Sequence, residues 1–159
     1  IGASSDYREI FRKEIVDNCE IFKKIHDAGV PLLCGTESGF SMTPYGEWHY
    51  RELEVFVNDI GMSNLESIVC ATKNASTALK MEGQVGTLEN KMLADILILD
   101  ENPLKDITVL GDKSKISSII LNGREIDRSI PIPEITPPQG WRLSPYSDKI
   151  LTQNIAKNR

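Results

Sequence analysis

Apolar residues recur at helical spacing through the first part of the chain. Phe11, Ile15, Phe22 and Ile25 share a face, and Val16 and Cys19 widen the stripe. Gly29 offers a C-terminal stop, and Pro31 prevents the helix from continuing. Residues 30–34 then form a run that is apolar on both faces and ends at Gly35. Such a run predicts a short buried strand, so helix, glycine turn and strand together predict an α/β unit with a parallel strand. The loop at residues 35–46, rich in Gly, Ser, Thr and Pro, follows the C-terminal end of that strand. This is where α/β folds place their chemistry.

Two more helices are expected. Residues 47–60 place His49, Leu53, Phe56, Val57 and Ile60 on one side, and Gly61 breaks the pattern. Ser63 followed three residues later by Glu66 is a capping box, in which the two residues satisfy each other's free backbone donors. The helix it starts is predicted to run to about residue 80 and to bury Leu65, Ile68, Val69, Thr72 and Leu79.

The period then changes. Residues 84–88, 94–99, 108–110 and 116–121 are short β-rich runs, and Asn122-Gly123 is a strong hairpin signal. A small antiparallel sheet is expected. Residues 128–159 hold the five prolines between Pro131 and Pro145, which predict an extended tail with Trp141 as an anchor.

Composition narrows the function classes. With 159 residues, 40% of them hydrophobic and 26% charged, the chain sits in the globular range. The net charge of −5 comes with no basic stripe, so no nucleic-acid partner is expected. The apolar runs are too short to span a bilayer, so no membrane partner is expected either. Cys19, Cys34 and Cys70 are an odd, widely spaced set, which predicts reduced core thiols. No leader is visible, but the chain opens at Ile1 without a methionine, so the compartment stays open, with the cytoplasm favoured.

Six fragments carry a family resemblance. In order they are His26-Asp27-Ala28-Gly29-Val30, Gly35-Thr36-Glu37-Ser38-Gly39, Gly61-Met62-Ser63-Asn64-Leu65-Glu66, Ala71-Thr72-Lys73-Asn74-Ala75, Ala94-Asp95-Ile96-Leu97-Ile98-Leu99-Asp100 and Asn102-Pro103-Leu104-Lys105-Asp106-Ile107. In this order and spacing the chain resembles the amidohydrolase superfamily over residues 6–127, in the branch of imidazolonepropionase and Xaa-Pro dipeptidases. The resemblance implies an α/β fold: the C-terminal part of a (β/α)8 TIM barrel, with the last helix-strand unit and closing helices, plus part of a small β-sandwich. Residues 1–82 would be barrel, 83–127 sandwich and 128–159 tail. A whole member is longer, since such a barrel alone takes about 250 residues.

The resemblance also implies chemistry. Family members hydrolyse amide or related C–N bonds with one or two divalent metals, zinc being the expected ion here, and an acid after the eighth strand moves the proton. That acid falls on Glu37, a catalytic and metal-site candidate, where the family has Asp. The extra methylene moves the carboxylate by about 1.5 Å, against a tolerance of about 0.5 Å. The plain alternative is a solvated loop carboxylate. Phe40, Tyr45 and His49 would face the pocket as substrate-binding residues, though loop aromatics are as often packing groups. His26 reads as a helix-end residue.

No His-x-His pair is present, and the two histidines lack ligand spacing, so no metal is expected on this chain alone. Asp95 and Asp100 read as strand-end turn carboxylates. Gly35 to Gly39 is not a nucleophile elbow, because its serine is fourth.

Two functions follow from these readings. One is a portion of a hydrolase for dipeptides or cyclic amides, inactive by itself. The other is a non-catalytic assembly module that pairs with a second copy or a complementary chain through open edges.

Overall fold

A computed structural model of the chain describes residues 5–39 and 46–130. Phe40, Tyr45 and the proline-rich segment with Trp141 lie outside the described residues. Helix α1 spans Ser5–Asp27, α2 Trp48–Val55, α3 Asn64–Ala71 and α4 Lys73–Ala78. Strands β1 (Ile96–Leu99), β2 (Ile116–Leu121) and β3 (Arg124–Glu125) form an antiparallel sheet in the order β1-β2-β3. No described helix is long and apolar enough to cross a membrane.

Helix α1 matches its pattern and ends where Gly29 takes a positive φ of 76°. Its apolar face is largely open: Ile15 is 61% exposed, Val16 57% and Phe22 45%. Residues 30–34 depart from expectation. They run extended but join no strand ladder among the described residues. A barrel strand needs neighbours on both sides, and here helices take their place. The Cys34 amide donates to the Cys70 carbonyl at 3.3 Å, and the Asn74 side-chain amide donates to the Leu32 carbonyl at 2.6 Å.

The second helix buries Leu53, Phe56 and Ile60 of its predicted face, while Val57 is half-buried and His49 exposed. After Val55, however, it widens into a π-helical turn, Phe56–Ile60. That turn brings Phe56, Ile60 and Met62 together with Cys70 in the main core cluster, against which Leu32 and Cys34 pack.

The capping box forms as predicted. Ser63 accepts from the Glu66 amide at 3.3 Å, and Glu66 accepts from the Ser63 amide at 2.8 Å. The long helix it opens is broken at Thr72, whose hydroxyl donates back to the Ile68 carbonyl at 2.7 Å. Such back-bonding bends helices, and Thr72 leaves helical geometry at φ −120°, ψ −84°. The buried face is also not the expected one. Leu65 and Leu79 are exposed, as is Thr72, while Ser67, Cys70 and Ser76 are buried and Ile68 and Val69 half-buried. Small residues let α3 approach α2 closely, and Ser67 hides its hydroxyl by donating to the Leu53 carbonyl at 3.0 Å.

Two predicted strands are absent. Residues 84–88 are turns and bends, with the Val85 amide returning to the Met81 carbonyl. Residues 108–110 lie in a 3-10 helix, Ile107–Gly111, because Asp106 caps it by accepting from the Thr108 amide at 2.9 Å. The hairpin forms where expected, with Asn122 and Gly123 both at positive φ (50° and 75°) between Leu121 and Arg124. This is the geometry a two-residue hairpin turn demands. Cysteines expected in the core divide: Cys70 is buried, whereas Cys19 and Cys34 are only half-buried.

Candidate functional site

The extended segment delivers residues 35–39 to one end of α2. Glu52, on the helix's inner side, accepts the Gly35 amide with both carboxylate oxygens, each at 3.0 Å. Two residues further on, Glu37 takes a positive φ of 46°. A non-glycine residue pays about 1–2 kcal/mol for left-handed backbone, so the surroundings must impose it. Those surroundings are the anchored Gly35 on one side and the Thr36–Ser38 hydroxyl pair, 2.8 Å apart, across the turn. Asp populates this region more readily than Glu, so the family's usual residue would sit there with less strain than Glu37 does.

Glu37 itself is exposed. Beneath it, burial raises the Glu52 carboxyl above its ordinary value, opposed by the Gly35 hydrogen bond and by nearby His49. Burial also pushes the Cys34 thiol up to about 12, helped by the negative charge of Glu52 and the closeness of Cys70. A thiol so raised is protonated and inert at neutral pH. Glu52 and Asn74 are the residues that hold the segment, and sequence reasoning passed over both. Asn74 stood in a quoted motif without a role. Glu52 lies three residues after His49, on the flank of the apolar stripe, and that flanking carboxylate was the available signal.

His49 is exposed at the start of α2 and lines a cleft of about 580 Å³ between α2, α3 and β1. Tyr50, Leu53, Ile68, Leu97 and Leu110 make that cleft mostly apolar. Glu37 is not among its lining residues, whereas His49 lies near enough to Glu52 to lower its carboxyl. Phe40 and Tyr45 lie outside the described residues.

His26 sits in the last turn of α1 with Nε2 3.7 Å from Glu66, a helix-end contact as expected. Asp95 accepts the Asn122 amide at 2.6 Å, and Asp100 accepts the Ser117 hydroxyl, so both serve the hairpin sheet as turn carboxylates. A divalent ion needs three or more converging donors. Among the described residues no group of three His, Cys, Asp or Glu is placed to hold one. The donors present around Glu37 therefore do not fit a metal centre by themselves.

Comparison with known proteins shows the family of the chain. The amidohydrolase family model matches residues 6–126. Ochratoxinase from Aspergillus niger is 33% identical over 98 residues, covering 61% of this chain and 19% of that protein. Its crystal structure superposes with a TM-score of 0.60 at 30% identity, over 67% of this chain and 24% of that one. A proposed prolidase from Bifidobacterium longum gives a TM-score of 0.61 at 32% identity, over 67% and 25%. A Xaa-Pro dipeptidase with methionine bound in its active site gives 0.58 at 27%, over 69% and 25%. The chain thus spans about a fifth to a quarter of the length of these relatives. With a family model covering most of its length, from the first helix to the last strand, the chain belongs to the amidohydrolase family.

Proposed function

We propose that this chain is the C-terminal portion of a metal-dependent amidohydrolase that cleaves amide or related C–N bonds in a dipeptide-like or cyclic substrate. In this reading residues 1–82 complete a barrel, residues 83–127 contribute to a sandwich and residues 128–159 form a tail. The observation that carries it is the strained, anchored turn: Glu37 is held at positive φ at the end of an extended segment, with Gly35 clamped by Glu52. Backbone strain of this kind persists where the site needs it. Relatives named as prolidase, Xaa-Pro dipeptidase and ochratoxinase support a hydrolase of this class.

Glu37 takes a proton from the attacking water and returns it to the leaving nitrogen. His49, Phe40 and Tyr45 contact the substrate. Divalent metals are general in the family, and zinc is the ion expected here. Glu37 is the one ligand candidate among the described residues, and the other ligands belong to further parts of the enzyme, so this segment alone is inactive. The test is hydrolysis of Xaa-Pro dipeptides by the longest polypeptide the gene encodes. Glu37→Gln should lower kcat at least 100-fold, while Glu37→Asp should retain activity. Unchanged turnover in Glu37→Gln would remove Glu37 from the mechanism.

A second reading is favoured by the open apolar face of α1 and by exposed Val30 and Leu33. Here the chain is an assembly module that pairs with another copy or a complementary chain. Sedimentation of the isolated chain separates the two, since a monomer at micromolar concentration speaks against the module.

A further inference from the structure

Glu52 is a half-buried carboxylate that the proposed chemistry does not use. Its desolvation is costly, and among the described residues it has no basic ion-pair partner within 4.0 Å. What it does hold is one backbone amide, that of Gly35, at 3.0 Å from each of its oxygens. An amide shared equally between two oxygens points at the middle of the carboxylate, which fixes the direction of the Gly35 peptide as well as its distance. Gly35 is the last residue of the extended segment, and the turn to Glu37 begins there.

On the other flank the segment is fixed upstream, at the Leu32 carbonyl by Asn74 and at the Cys34 amide by the Cys70 carbonyl. These contacts set the register of the segment. At its downstream end the Gly35 amide is held by Glu52.

We propose that Glu52 is the positioning residue of the site: anchored on α2, it orients the Gly35 peptide and so forces the turn that presents Glu37 at positive φ. The proposal rests on the reading of Glu37 as the working acid, but the geometry it claims exists independently of catalysis. A charged acceptor makes a stronger hydrogen bond than a neutral one, so the hold depends on the ionisation of Glu52. The groups facing that carboxylate are His49 from its own helix, the Gly35 amide and Cys34 thiol from the extended segment, and Cys70 from α3. Of these, Glu52 is the carboxylate whose ionisation sets the strength of the hold on the Gly35 amide.

The test is nuclear magnetic resonance on the 159-residue chain, following the Gly35 amide from pH 4 to 8. In the unaltered protein its proton should shift with a single midpoint above the ordinary Glu value. Glu52→Gln keeps an acceptor of the same length and should abolish that titration while leaving the fold intact. Glu52→Ala should also speed Gly35 amide exchange at least 10-fold and change the Glu37 amide–Hα coupling as its φ relaxes to negative values. His49→Asn should leave the titration in place. A Gly35 amide that does not titrate in the unaltered chain overturns the proposal, as does a Glu37 coupling unchanged in Glu52→Ala. Failure of the catalytic reading looks different: Gly35 titrates as described, yet Glu37→Gln in the full enzyme turns over substrate normally.

Discussion

Helix α1 and the pair α2–α3 make an instructive contrast. The first is the longest element, 23 residues with a clear apolar stripe, and yet Ile10, Ile15, Val16, Ile21 and Phe22 are all exposed. The second pair is built of two eight-residue helices, and with the π-helical turn between them they supply Leu53, Phe56, Ile60, Ser67 and Cys70 to the buried set. Amphipathic periodicity therefore marks a face that is able to be buried. What buries it is a neighbour, and α2 and α3 have each other, whereas the stripe of α1 has little against it among the described residues.

The contrast is sharpest in core truncations. Phe56→Ala should cost about 3 kcal/mol, because a large buried side chain leaves a cavity. Ile15→Ala, on the open stripe, should stay within about 0.5 kcal/mol. Urea denaturation of the two variants checks this, and equal losses would mean that α1 is packed in solution. A smaller but still large effect is expected at Gly86, which has φ 94° and whose added Cβ would meet the Thr72 carbonyl at 2.8 Å. Gly86→Ala should cost about 2 kcal/mol through strain and backbone clash, read as a lowered urea midpoint. Glu37→Gly should do the opposite and raise stability by about 1 kcal/mol, since glycine accepts the positive φ without penalty. A loss of stability there would mean that the turn is not strained.

The pH response is the subtlest difference. Glu66, Asp106 and Asp112 are held below their ordinary values by hydrogen bonds from Ser63, Thr108 and Ser114 respectively. Their stabilisation is present above the unfolded values and is lost as pH falls through the lowered folded ones. Glu52 has the reverse sign. Its folded value is raised above 4.5, so the folded state binds the proton more tightly, and stability falls as pH rises from 4.5 through the raised value. Glu52→Gln should remove that falling limb from the stability profile and leave the acid-side loss from the other three in place.

Much of this was legible in residue order. The end of α1, the Ser63–Glu66 capping box and the Asn122-Gly123 hairpin each depend on a few adjacent residues, and each formed as read. The misreadings share a cause in polar side chains that the hydrophobic pattern ignores. Thr72 bonds back to Ile68 and breaks a helix, and Asp106 caps residues 107–111 as a 3-10 helix instead of a strand. Ser67 was passed over because burial was assigned by hydrophobicity, while its hydroxyl is satisfied by a carbonyl 14 residues away. At the proposed site, Glu37 was singled out by the motif around it. Glu52 was not, because its function is a hydrogen bond across 17 residues to a backbone amide.

We propose that Glu37 is an amidohydrolase's working acid, and among the described residues it has no companions placed to hold a cation beside it. The direct measurement is zinc titration of the purified 159-residue chain by calorimetry, with bound metal counted after dialysis. The account predicts no stoichiometric zinc at micromolar concentration. One tightly held ion per chain, lost in Glu37→Gln, would contradict it.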